Sequence, residues 1–224
     1  MVTVEYVAEL RALFDKNSNA ADALPMQAYM KDIAPFFGIK APLRRQLSQH
    51  FIKTHGLPEN PEGAVRLLWK EPERELHYFA MELLGKLAKK APENRLRLYE
   101  KMITTNSWWD TVDYISPHLC GVHFSQYPDL RNTTVEQWVS SKNLWLQRSA
   151  VLFQLGYKTK TDAELLFTTC SRLAGESDFF IRKAIGWALR QYARTAPETV
   201  QDYVRRTPLS VLSKKEALKH FNVY

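Results

Sequence analysis

The chain has 224 residues, 45% of them hydrophobic, with 31 Lys and Arg against 24 Asp and Glu for a net charge of +7. That length supports one core or one continuous helical array and is too short for three independent domains, so a single domain over 1–224 is expected. No run of about 18 apolar residues occurs, which argues against a membrane-spanning helix. The opening MVTVEYVAELRALF mixes acidic with apolar residues and has no basic region or small-residue cleavage site, so no secretory leader and a cytoplasmic setting are expected.

Helical period dominates from end to end. In ERELHYFAMELLGKLAKK, Leu76, Phe79, Ala80, Leu83, Leu84 and Leu87 recur at steps of three and four, which sets them on one stripe of a helix. NLWLQRSAVLFQLGY and DFFIRKAIGWALRQYA repeat the pattern. Pro58, Pro61, Pro72, Pro92, Pro128, Pro197 and Pro208 fall between such blocks, and Gly56, Gly156 and Gly175 stand near their ends. About a dozen helices with short connections, and no strand, are expected. Ala80, Ala150 and Ala184 hold the same place in LHYFAMELL, LQRSAVLF and FIRKAIGW at gaps of 70 and 34 residues, and a weaker unit near Val112 would complete a period of about 35. Periods of that size mark stacked helix pairs, each burying its apolar stripe against the next and together exposing one long surface.

Charge is uneven along the chain. Residues 1–139 hold 17 Lys and Arg and 17 Asp and Glu, whereas 140–224 hold 14 and 7, so the whole excess lies in the last 85 residues. That asymmetry suits a polyanion partner, although solvated helix faces give the same composition. Cys120 and Cys170 are 50 residues apart, and His118 and His123 lack the spacing of a zinc motif, so neither a disulfide framework nor a metal site is expected.

The segment SWWDTVDYI, residues 107–115, is the most unusual. Trp109 and Asp113 are four apart and share a helix face, which stands a carboxylate beside an indole. Trp108 and Trp109 diverge by about 100°, so they cannot enter the same core. On a purely structural reading Trp108 packs inward and Asp110 and Asp113 are solvated; on a functional one Val112 and Ile115 form the buried stripe and Trp109 with Asp113 faces a ligand. In DFFIRKAIGWALRQYART, Gly186 costs about 0.5–1 kcal/mol relative to Ala and so implies a close approach by backbone or ligand. Lys183, Trp187, Arg190 and Arg194 follow one another there at steps of three or four, a strip suited to sugar and phosphate if Trp187 is not simply core. Arg148, mid-helix in NLWLQRSAVLFQL, must snorkel, pair, or face an anion in a groove.

SWWDTVDYI, NLWLQRSAVLFQLGYK, FFIRKAIGWALR and LSKKEALKH, with PMQAYMK and GIKAPLRRQL near the start, resemble the AlkD-like DNA alkylation repair enzymes, glycosylases built from HEAT-like repeats. The resemblance runs over nearly the whole chain. It implies an all-α fold, a right-handed superhelix of antiparallel helix pairs (an α-α solenoid) with a basic concave face that holds double-stranded DNA containing alkylated purines. It implies hydrolysis of the N-glycosidic bond of cationic purines such as 3-methyladenine and 7-methylguanine, by a monomer that uses no cofactor and no metal. By motif, Asp113 matches the catalytic carboxylate and Trp109 and Trp187 the aromatic pair at the lesion's sugar. Arg148 matches a DNA-contacting arginine, Tyr29 a tyrosine bordering the site, and Lys158, Arg190 and Arg45 basic DNA-binding positions. Tyr114 and Gln191 depart from the pattern, the first replacing a small residue and the second removing an acidic neighbour of Arg190. A non-catalytic HEAT-like DNA-binding protein is the alternative, since the groove can persist without the chemistry.

Overall fold

The computed structural model describes residues 2–221. Regular structure in that range is helical throughout, with fourteen α-helices, short 3₁₀ turns, one π-helical stretch and no strand. None of these helices is long and apolar enough to cross a membrane. The chain divides between Leu87 and Ala88 into two compact units.

The first unit contains α1 (Thr3–Lys16), α2 (Ala20–Tyr29), α3 (Ala41–His55), α4 (Pro61–Leu68) and α5 (Arg74–Leu87). Its core is aromatic: Tyr6 meets Phe51 edge to face at 4.9 Å, and Phe14 and Phe79 close the cluster, all of them buried. The stripe read from the sequence is the one that is buried, since Leu76, Phe79, Ala80, Leu83 and Leu84 are fully enclosed on α5. The buried Glu75 carboxylate accepts from the backbone N–H groups of Phe37, Gly38 and Ile39 at 2.9–3.1 Å and so fixes the entry to α3. Gly38 has φ +86°, and a Cβ there would lie 2.0 Å from the Asn19 carbonyl oxygen, so glycine is required on two counts.

The second unit contains α6 (Leu96–Thr104), α7 (Trp109–Ile115), α8 (Val122–Gln126), α9 (Pro128–Ser140), α10 (Leu144–Leu152), α11 (Ala163–Arg172), α12 (Phe179–Ala193), α13 (Pro197–Arg206) and α14 (Val211–Ala217). Neighbouring helices pack in an α-α stack, with α10 against α7, α9 and α12, and α12 against α13 and α14. The small residues of the repeat lie where stacking demands, with Ala150 and Ala184 buried on α10 and α12 and Val112 on α7. Pro61, Pro128 and Pro197 open α4, α9 and α13, where a missing N–H leaves nothing unpaired. Two features escape the expected pattern. Pro25 lies inside α2, and α7 runs on into π-helical turns over Ser116–Gly121. A Cβ on Gly121 would sit 2.3 Å from the Phe153 carbonyl oxygen, so this glycine lets the π stretch press onto the end of α10.

Candidate active site

The site grows from the start of α7. Val112 and Ile115 are fully buried, as the stripe requires, which turns Trp109 and Asp113 to the partly exposed side. Trp108 joins an aromatic cluster with α10 and α12. Its ring packs edge to face on Trp145 at 5.7 Å and on Phe180 at 5.2 Å, and those two rings are 5.2 Å apart. Trp108 and Trp109 are both half-buried, Trp108 within this aromatic cluster.

Arg148 settles its three options by pairing. Its Nε donates to Asp113 Oδ1 and its Nη2 to Asp113 Oδ2, both at 2.8 Å, and its Nη1 donates to the Phe180 carbonyl. The Arg148 side chain is 6% exposed against 19% for Asp113. Only the carboxylate therefore reaches toward solvent, and this guanidinium is turned to Asp113 rather than outward as a free DNA-contacting charge. The physical reason is burial: a guanidinium this enclosed must have its charge and its donors met within the protein. One side chain thereby joins α7, α10 and α12. The buried Ser116 Oγ, at the start of the π-helical stretch after α7, donates to Ser149 Oγ on α10 at 2.9 Å and adds a second tie next door.

Burial pushes the Asp113 carboxyl above the ordinary aspartate value; Arg148 opposes this through its hydrogen bonds and charge, and Asp110 adds repulsion. Arg148→Met removes the opposing influence and is expected to raise the Asp113 pKa further, read from the carbon-13 carboxyl resonance of Asp113 across pH. A lower or unchanged pKa in the variant would show that Arg148 does not hold the carboxylate ionised.

Trp187 lies on α12 two turns beyond Phe180 and is half-buried, so α7, α10 and α12 of one unit carry Asp113 with Trp109, Arg148 and Trp187. Gly186 beside it is explained by α14. A Cβ there would meet Glu216 Cβ at 2.5 Å and the Ser213 carbonyl oxygen at 2.9 Å, so the close approach is by protein. Glu216 also accepts from Lys183 Nζ at 2.7 Å and pairs with Arg190 Nη1. The free cationic strip expected on α12 is to this extent corrected, because Lys183 and Arg190 come to any phosphate with a shared carboxylate already against them. Lys158 is exposed, at the start of a 3₁₀ turn after α10, with φ +54°. In the first unit, Tyr29 is 71% exposed at the end of α2, and Arg45 is exposed on α3.

Sequence reasoning missed Glu216 and the Phe180 carbonyl. A single acidic residue within LSKKEALKH, together with the unexplained Gly186, was the available signal for Glu216. For a backbone acceptor there is none.

Stacked helix pairs that carry a partly exposed carboxylate held by a buried arginine, with half-buried indoles on the same helices, define an all-α repeat protein. The match of the DNA alkylation repair enzyme family model to residues 10–221 identifies the chain as a member of that family. A solved structure of a predicted DNA alkylation repair enzyme from Enterococcus faecalis is 30% identical, with a TM-score of 0.85 over 92% of this chain and 98% of that one. AlkD2 from Streptococcus mutans is 16% identical, with a TM-score of 0.66 over 98% and 99%, and smu.31 from Streptococcus mutans UA159 is 16% identical, with a TM-score of 0.61 over 80% and 96%. These last two share the fold. No curated protein is significantly similar to the chain.

Proposed function

We propose that this protein is a monofunctional DNA glycosylase that hydrolyses the N-glycosidic bond of cationic alkylated purines, 3-methyladenine and 7-methylguanine, in duplex DNA. In this reading residues 1–224 act as one glycosylase domain and as a monomer. The observation that carries it is the partly exposed Asp113 carboxylate, charged through Arg148 and set on the half-exposed face of α7 with Trp109. An alkylated purine leaves as a neutral base, so positive charge develops on the sugar. A carboxylate and indole faces are the groups that stabilise such a cation, the indoles by about 0.5–2 kcal/mol each. Each Asp113 oxygen accepts one bond from Arg148 and keeps a second lone pair, which suffices to orient an attacking water. Arg148 acts as a positioning residue for Asp113, while Tyr29, Arg45, Lys158 and Arg190 are assigned to DNA, Arg190 being already paired with Glu216.

A second reading has one observation in its favour: both oxygens of Asp113 are already bonded to Arg148, as in a structural strut of a non-catalytic DNA-binding protein. Incubation with duplex DNA carrying a single 7-methylguanine, followed by hot alkali, separates them. Free 7-methylguanine, with strand breakage appearing only after alkali, is expected. Binding of the duplex without base release would favour the strut, and breakage before alkali would rule out a monofunctional enzyme.

A further inference from the structure

The second unit holds a cavity of about 220 Å³ lined by none of Trp109, Asp113 or Trp187. Its floor is apolar, from Val151 and Leu155 after Arg148 and Ala188 after Trp187. Its polar lining has no carboxylate: Lys158 and Arg194 bring two positive charges, Thr161, Thr195 and Tyr192 three hydroxyls, and Gln154 and Gln191 two amides.

Both cations lack an ion-pair partner among the described residues, and the reason differs for each. The nearby loop carboxylate, Asp162, is taken by Arg131 Nη2 at 2.9 Å and by the Leu165 N–H at 3.0 Å. Glu216 is divided between Lys183 and Arg190, and Arg194, at the C-terminal cap of α12, has no carboxylate of its own among the described residues. The loop that carries Lys158 is held rigidly. Asp162 N–H donates to Gln154 Oε1 at 2.8 Å, Gln154 Nε2 donates to the Asp162 carbonyl at 3.3 Å, and the Tyr157 hydroxyl donates to the Gly121 carbonyl. These contacts hold Lys158 in the left-handed region, where a side chain costs about 1–2 kcal/mol. Two exposed cations without an ion-pair partner among the described residues, with hydroxyl donors and apolar side chains between them, suit one phosphodiester and the carbon face of its sugar. Gln191 sits in the same wall, where a carboxylate would repel that group.

We propose that this cavity seats a single backbone phosphate of the bound strand, with Lys158 and Arg194 on the same phosphate. The inference rests on the DNA-binding part of the reading above and is independent of catalysis by Asp113.

The test is a methylphosphonate scan. One linkage at a time in a short duplex, fixed in register by a central tetrahydrofuran abasic analogue, is made neutral, and affinity is read by fluorescence anisotropy. At one linkage the wild type is expected to lose roughly fivefold, and there Lys158→Ala and Arg194→Ala should lose nothing further. The double variant should lower the slope of log K against log salt by about 0.9, because one phosphate is involved, and not by about 1.8. Gln191→Glu keeps the size and adds a charge; it should weaken binding to the natural duplex and lose that penalty at the same neutral linkage. A slope change near 1.8, or no linkage masked in both single variants, overturns the shared phosphate while leaving DNA binding intact. A wild type that fails to bind duplex at low salt sinks both this inference and the reading beneath it, whereas binding without base release sinks only the glycosylase.

Discussion

In single-turnover excision of 7-methylguanine, Asp113→Asn is expected to be at least ~100-fold slower than wild type while binding duplex DNA within a few-fold. A cationic sugar ~4 Å from the carboxylate gains ~4 kcal/mol at an effective dielectric of ~20, but a guanidinium behind the carboxylate, ~8 Å away, opposes it by ~2 kcal/mol. Arg148 remains in the variant, so its repulsion is common to both proteins and the substitution forfeits the ~4 kcal/mol, worth up to about 1000-fold, with orientation of water by the free lone pairs in addition. The same substitution should destabilise the fold. It leaves Arg148, 6% exposed, facing a neutral amide and the Phe180 carbonyl. Stranding a charge in this way costs ~3 kcal/mol, or ~6–12 °C in Tm for a chain of this size. Adding Arg148→Met to Asp113→Asn should recover much of the Tm but, by relieving the ~2 kcal/mol repulsion alone, leave the rate still at least ~30-fold below wild type, which separates loss of chemistry from loss of fold. A single variant within about threefold of the wild-type rate would end the assignment of Asp113.

The second large effect is across lesions. Asp113, Trp109 and Trp187 are assigned to the sugar and its charge, and the cavity of the second unit is lined by none of them. Discrimination then rests on how readily the base departs, so rates should follow spontaneous depurination across a series. With 3-methyladenine, 7-methylguanine, a bulkier N7-alkylguanine and hypoxanthine in one duplex context, the three cationic bases should be released and hypoxanthine left nearly untouched. Extra bulk at N7 should matter little, because a base that is never enclosed meets no wall. Efficient release of hypoxanthine, or complete loss of activity on the bulky cation, would show that the base is enclosed after all.

The all-helical architecture was legible because apolar residues recur at helical steps, and the buried places of Ala80, Ala150 and Ala184 on α5, α10 and α12 follow from that period. The buried stripe within SWWDTVDYI was legible in the same way, with Val112 and Ile115 enclosed and Trp109 and Asp113 half-buried. What the period cannot carry is pairing between distant side chains. Arg148 finds Asp113 35 residues away, and Glu216 reaches Arg190 over 26 residues, contacts fixed by how helices stack and not by spacing within one helix. The π-helical turns at Ser116–Gly121 were hidden for a related reason, since Gly121 adapts to the Phe153 carbonyl, a neighbour that only the packed state supplies.

Repeat proteins are commonly treated as strings of interchangeable modules, each answerable only to its neighbours. The three-way grip of Arg148 on Asp113 and the Phe180 carbonyl sets a limit on that freedom. A chimera that imports α7 from a relative inherits the carboxylate but not its anchor, and one that imports α10 alone brings a guanidinium cut to fit another protein's α12. In evolution and in the laboratory alike, α7 through α12 is the smallest piece that can be exchanged with the carboxylate still in place.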